Sequence, residues 1–398
     1  MKNCMIMIFL AGCFACQAAA LSLADALALA GRNHPALKQA QMRQKAGDAA
    51  LKQAGARPNP SLGVEIEDWG RGEQSAVLSQ AVEIGGKRKA RMARAEADRA
   101  SARILSAQAE TDLQACAYSR YFIAAGLEAE SGFMDRSLAL AESTGALIER
   151  QVALGAAKRV DLLRARTRRA VLENEKRGIE KERVYALSAL FSLWGESATG
   201  ILTDSLRVIS MEEFERVSGK TGLGPSVLLK KAEADAMEAE ARAADAESWP
   251  DLEAGLGLRR PEQGQDPLVT AGVTVGLPVF NRNQGARQEA MQNIGVVRQE
   301  AALSAIEEEL EIKRLRAAID NAMASVKTLE AAVLPDAHQV LKELESMTAA
   351  GKGSYLELLN AQTELIEFER NRLNSLAELR ELLSELARVT GNRAYLIP

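Results

Sequence analysis

Histidine and cysteine are scarce in this chain of 398 residues. The histidines are His34 and His338, and three of the four cysteines, Cys4, Cys13 and Cys16, fall within the first sixteen residues. Cys116 therefore stands alone in the body of the chain, which excludes an internal disulfide and a cysteine metal cage there. No HExxH, GxSxG or Walker-type loop occurs, so the enzyme classes those motifs announce are excluded, and no cofactor is expected. A net charge of -4 gives little basis for binding nucleic acid. No apolar run reaches the roughly 18 residues of a transmembrane helix. Proline is missing between Pro60 and Pro225, so nothing interrupts helices across that span.

Aromatic residues make up 4% of the chain against 47% hydrophobic residues in all, and Ala and Leu carry most of that share. Such a balance suits long, closely spaced helices. Residues 1–20 read as a signal peptide for export: Lys2, an apolar stretch from Met5 to Gly12, then Ala18-Ala19-Ala20, a small-residue cleavage pattern. Leu10-Ala11-Gly12-Cys13 also has the form of a lipobox, which would place a lipid on Cys13; plain cleavage near Ala20 is the alternative.

An internal repeat organises the rest. A constant offset of 196 residues aligns Ile84 with Phe280, Ala90-Arg91 with Ala286-Arg287, Gly155 with Gly351, Leu162-Leu163 with Leu358-Leu359, Glu173 with Glu369 and Gly195 with Gly391. The expected units are a first repeat over 21–200, a connector over 201–223, a second repeat over 224–392 and a tail over 393–398. Each repeat opens with a helix, about 22–55 and 225–248, that stops where proline arrives at Pro58 and Pro250. Period-2 alternation then predicts strands at about 60–69 and 74–84, and at 250–260 and 267–278. Helical hairpins follow over about 87–196 and 284–391, their arms reversing at Gly155 and Gly351. Pro335 should break or bend the second long arm near Leu334.

Strands of about ten residues with one apolar face match a tilted membrane β-barrel. Four strands cannot close, and an open edge in hydrocarbon costs several kcal/mol for each unpaired backbone group. The hairpins must then pair with other copies, eight strands from two copies or twelve from three. A small soluble β-domain on a periplasmic helical protein is the alternative. It leaves Leu62, Val64, Ile66, Leu252, Leu256 and Leu258 without an evident cover. In the barrel reading Glu65, Glu67, Asp251 and Glu253 turn toward the water-filled lumen.

The duplicated arrangement resembles the TolC-like outer-membrane factors over nearly the whole mature chain. Gln80-Ala81-Val82-Glu83-Ile84-Gly85-Gly86-Lys87-Arg88-Lys89-Ala90-Arg91 and Leu277-Pro278-Val279-Phe280-Asn281-Arg282-Asn283-Gln284-Gly285 are similar to the cobalt-zinc-cadmium branch, which serves heavy-metal efflux. The resemblance implies a mainly α fold with a trimeric 12-stranded barrel in the bacterial outer membrane and a helical tunnel in the periplasm. It implies a passive exit duct, not an enzyme, working as a homotrimer with a periplasmic adaptor protein and an inner-membrane transporter of the resistance-nodulation-division type, among outer-membrane lipid. By position, Val152, Leu154, Gly155, Ala350, Gly351 and Gly353 are adaptor-docking tips, and Asp161, Arg164, Glu357 and Asn360 are candidates for a periplasmic gate. A solvated helix face is the competing reading of those four.

The first hairpin departs from the family pattern: Gln151 stands where an aromatic is common, and the stretch from Arg159 to Arg164 is more basic. The basic run Lys87, Arg88, Lys89, Arg91, Arg94, Arg99 and Arg103 opposes the dipole of its own helix, so lipid phosphate or nearby acids should compensate it. A periplasmic coiled-coil adaptor or scaffold, and a duct for drugs or secreted protein, are the rival functions. Two helical hairpins alternating with two strand pairs fit an adaptor poorly.

Overall fold

The structure is a computed structural model that describes residues 19–67, 72–195, 200–204, 206, 209–218, 222–261, 266–350 and 352–396. Cys13 and Gly351 lie outside these residues. The first described element, β1 (Ala19–Leu21), pairs in parallel with β4 (Gly200–Leu202). Cleavage after Ala20 would remove two of the three residues of β1, whereas cleavage before Cys13 would leave it whole.

Where one helix is expected over 22–55, the structure has two, α1 (Leu23–Asn33) and α2 (Pro35–Ala54). The reason is local. A residue before proline avoids the helical region, and His34 sits at ψ 131° with its Nδ1 accepting from the Ala36 amide at 3.3 Å. Pro35 then opens α2 at a position where its missing N–H costs nothing.

The strands β2 (Ser61–Ile66), β3 (Gln74–Val82), β5 (Leu252–Arg260) and β6 (Leu268–Val275) form one antiparallel sheet in the order β2-β3-β5-β6. The central pairing of β3 with β5 joins the two strand hairpins. From β3 the chain enters α3 (Lys87–Ala153), 67 residues or about 100 Å of helix, and returns through α4 (Arg159–Phe191). After the short α5 (Met211–Ser218), the second repeat runs through α6 (Pro225–Ala246), α7 (Gln284–Thr328), α8 (Leu334–Ala349) and α9 (Tyr355–Thr390). Between α7 and α8 a π-helical turn spans Leu329–Val333. Pro335 lies in the first turn of α8, where its lack of an N–H is tolerated.

The main core is not at either end. It gathers Leu113, Tyr118, Tyr121 and Phe122 of α3, Leu190 of α4, Leu315 and Ile319 of α7 and Leu379, Leu383 and Leu386 of α9, with Phe214 of α5 and Tyr395. The connector is bound into this waist by Tyr121, whose hydroxyl donates to the Leu21 carbonyl at 2.9 Å and meets the Asp204 carboxylate at 3.1 Å. Asp204 in turn accepts from the Leu23 amide at 2.6 Å. Arg380 is also buried here, donating to the Tyr118 hydroxyl at 2.8 Å and stacking 4.2 Å from the Phe122 ring centroid. Sheet and hairpin tips therefore extend in opposite directions from a densely packed middle.

Candidate functional site

Register decides what the sheet presents. Residues opposite one another across a ladder share a face, and the pairings align Leu62, Leu78, Leu256 and Ala271 in one row and Val64, Ala76, Leu258 and Val269 in the next. In these two rows the face is apolar across all four strands, and polar residues enter it only nearer the strand ends, at Gln74, Gln80 and Arg260. No other described segment covers it: Leu62 is 68% exposed and Val269 72%. On the opposite face lie Ser61, Ser79, Gly255 and Gly272 in one row, Gly63, Val77, Gly257 and Thr270 in the next, and Glu65, Ser75, Arg259 and Leu268 in a third, a mostly polar surface. Gly257 of this face admits no side chain, because a Cβ there would come 2.7 Å from the Ala76 carbonyl oxygen and 2.8 Å from Val77. Among the described residues the outer sides of β2 and β6 have no strand partner.

The four expected lumen carboxylates divide. Glu65 and Glu67 are exposed, and Glu253 accepts from the Ser79 hydroxyl at 2.6 Å. Asp251 is held instead by the Lys87 ammonium at 2.8 Å, with Glu247 at 3.5 Å from the same nitrogen. Burial alone would lower the pKa of Lys87, but the hydrogen bond to Asp251 and the charges of Glu247 and Asp251 outweigh it and raise the value. Arg91 binds Glu83, Arg94 binds Glu240, and Arg99 binds Asp48. Acids from other elements thus compensate much of the basic run that opens α3. The chain turns into α3 through Gly85 and Gly86, at φ 73° and 84°. Only glycine fits at position 85, where a Cβ would lie 2.5 Å from that of Trp249.

At the far end α3 closes in a turn in which Gly155, at φ 73°, donates to the Val152 carbonyl at 3.0 Å and Ala156 to that of Gln151 at 2.8 Å. Leu154 is 74% exposed at the apex. In the second hairpin Lys352 and Gly353 both donate to the Met347 carbonyl, at 2.9 and 3.0 Å. Gly353 packs against buried Thr348, whose Oγ1 would be 2.6 Å from an added Cβ, while Ala350 is exposed.

The gate candidates are not brought together as a set within one chain. Arg164 and Asp161 lie 3.8 Å apart on α4, whereas Glu357 and Asn360 are exposed on α9. Asp161 instead faces Tyr355, whose pKa is raised first by burial and then by the Asp161 charge. The sequence reading gives Tyr355 no role of its own, and no spacing rule marks it as a partner of Asp161. Further along, Gln362 donates to Thr144 at 3.0 Å, and Arg370 bridges Glu130 and Glu175, each at 3.0 Å, tying α9 to α3 and α4. Among the described residues no group of His, Cys, Asp and Glu could hold a metal ion.

No protein-family model matches the chain. It is 28% identical over 379 residues to the cobalt-zinc-cadmium resistance protein CzcC of Cupriavidus metallidurans, covering 93% of this chain and 90% of that protein. Its fold matches the outer membrane protein VceC of Vibrio cholerae with a TM-score of 0.78 at 20% identity, over 93% of this chain and 96% of the other. It matches the open state of the MtrE outer membrane channel of Neisseria gonorrhoeae with a TM-score of 0.74 at 15% identity, over 93% and 89% of the two chains. Mainly helical architecture with one four-stranded antiparallel sheet per chain is common ground with these channels.

Proposed function

We infer that this chain, a TolC-like outer-membrane factor of the heavy-metal efflux branch, is the passive exit duct through which an efflux assembly discharges metal cations across the bacterial outer membrane. It is a channel component and not an enzyme. The observation that carries the reading is the sheet: an exposed apolar face, a polar reverse face and two strand edges without partners, set at one end of helices about 100 Å long. A soluble protein would leave a large greasy surface in water, whereas a barrel turns the same face to lipid and pairs both edges. Three copies supply twelve strands and a lumen wide enough for water, while two supply eight and an interior filled by side chains.

The opposite end, where Gly155 and Gly353 shape the hairpin turns, is the docking site for a periplasmic adaptor. Energy then comes from an inner-membrane transporter of the resistance-nodulation-division type, the partner that the resemblance to the heavy-metal efflux branch implies. Asp161 and Arg164, with Glu357 and Asn360 of neighbouring hairpins, form the gate of the periplasmic mouth. Cross-linking of native membranes tests the assembly: a trimer in the outer-membrane fraction that falls to monomers on heating is expected, and a soluble periplasmic monomer would overturn it. Deletion should sensitise cells to cobalt, zinc or cadmium. Sensitivity confined to organic drugs would overturn the assignment of cargo.

A further inference from the structure

Where the sheet passes into the helices, exposed side chains of two kinds collect on one rim. Val279 and Phe280, after β6, are 59% and 93% exposed, and Trp249, before β5, is 55% exposed. Arg88 and Lys89 in the first turn of α3 and Arg282 just before α7 are exposed as well. Among the described residues these three cations have no ion-pair partner, although their neighbours Lys87, Arg91 and Arg287 are each bound to a carboxylate. Acids have been supplied for half of the basic residues at this rim and withheld from the other half.

The C-terminal end of α6 brings the two groups to one place. Asn283 donates to the Ala244 carbonyl at 2.9 Å, Arg287 pairs with Asp245 at 2.6 Å, and Trp249 packs on Gly85 two residues before Lys87. The starts of α3 and α7 therefore flank a common point. Cations there are unfavourably placed, because a helix N-terminus already carries partial positive charge. An anion arriving from outside the chain relieves both.

We propose that this rim binds the anionic phospholipid headgroups of the periplasm-facing leaflet, with Phe280, Val279 and Trp249 seated at the boundary of acyl chain and headgroup and Arg88, Lys89 and Arg282 on the phosphates. The proposal rests on the barrel reading, which sets the rim at the level where the apolar face ends. Aromatic rings settle at such interfaces, and each basic residue close to an anionic surface strengthens association about fivefold. Three of them give a preference on the order of a hundredfold per chain, which fixes the depth and the vertical register of the duct in the membrane.

The test uses the full-length oligomer purified in a zwitterionic detergent and follows its heat dissociation while phosphatidylglycerol or phosphatidylcholine is added. Phosphatidylglycerol should protect at a concentration at least about tenfold lower than phosphatidylcholine. The Arg88→Gln, Lys89→Gln, Arg282→Gln triple variant should lose that preference while still forming the oligomer, and Phe280→Ala should weaken protection by both lipids. Equal potency of the two lipids on the native protein, an unchanged preference in the triple variant, or equal protection by inorganic phosphate would each overturn the proposal. A detergent-free soluble monomer would overturn the duct reading and this one with it, whereas a trimer indifferent to lipid charge would overturn this one alone.

Discussion

Neutralising Glu65, Glu67 and Glu253 together, by Gln at each position, should abolish cation selectivity of the duct. These three carboxylates belong to the polar side of the sheet and form no ion pair among the described residues, Arg259 acting on Glu67 only through its longer-range charge, whereas Asp251 is matched by Lys87 and Glu73 by Arg259. Three chains then place nine carboxylates without an ion pair around the lumen in place of the twelve that the alternation alone suggests. At about 10 Å through water one carboxylate attracts a univalent cation by roughly 0.4 kcal/mol, which screening at 0.1 M salt reduces to roughly 0.15. Nine such terms sum to about 1.4 kcal/mol, a tenfold enrichment of cations. In 1 M salt, where the screening length is about 3 Å, the sum falls below about 0.2 kcal/mol. The assay is reversal potential across a planar bilayer under a salt gradient. Native channels should prefer cations at 0.1 M and lose most of that preference at 1 M, and the triple variant should lack it at both. Native anion preference, or a selectivity untouched by neutralisation, would refute the reasoning.

Replacing Lys87 by Met leaves Asp251 and Glu247 facing each other and should destabilise the oligomer by about 1–2 kcal/mol, a moderate cost because both acids are partly exposed. Since folding raises the pKa of Lys87, its contribution is complete below the ordinary lysine value near 10.5 and is lost as pH rises through the higher folded value. Heat dissociation of native and variant oligomers should therefore converge in strongly alkaline buffer, and a constant gap would show that the pair is not its source. Gly85→Ala should cost about 2–4 kcal/mol, from its positive φ and the Trp249 contact together. Gly86→Ala, with the same backbone but open space around it, should cost about 1 kcal/mol; equal losses in thermal stability would remove Trp249 from the account. Gly155→Asp has open space around its Cβ and so costs only about the 1 kcal/mol of a positive φ; it should keep trimer abundance near native while abolishing metal resistance, and loss of the trimer would assign Gly155 to folding and not to docking.

The sequence by itself determined the strand faces and the long helices. These are local matters: alternation places Leu62, Val64 and Ile66 on one side whatever else the chain does, and the lack of proline from Pro60 to Pro225 permits a helix as long as α3. The break at His34 was equally local, yet a proline is as acceptable at the start of a helix as it is harmful within one, and the apolar pattern reads through it. Tertiary structure alone decided which charges are free. Lys87 finds its acids 160 and 164 positions away, and Asp161 faces Tyr355 across 194 positions, because β3 pairs with β5 and α9 packs against α3 and α4. Periodicity fixes the direction in which a side chain points, but the identity of the group it meets depends on how the two repeats pack, and no spacing within either repeat carries that information.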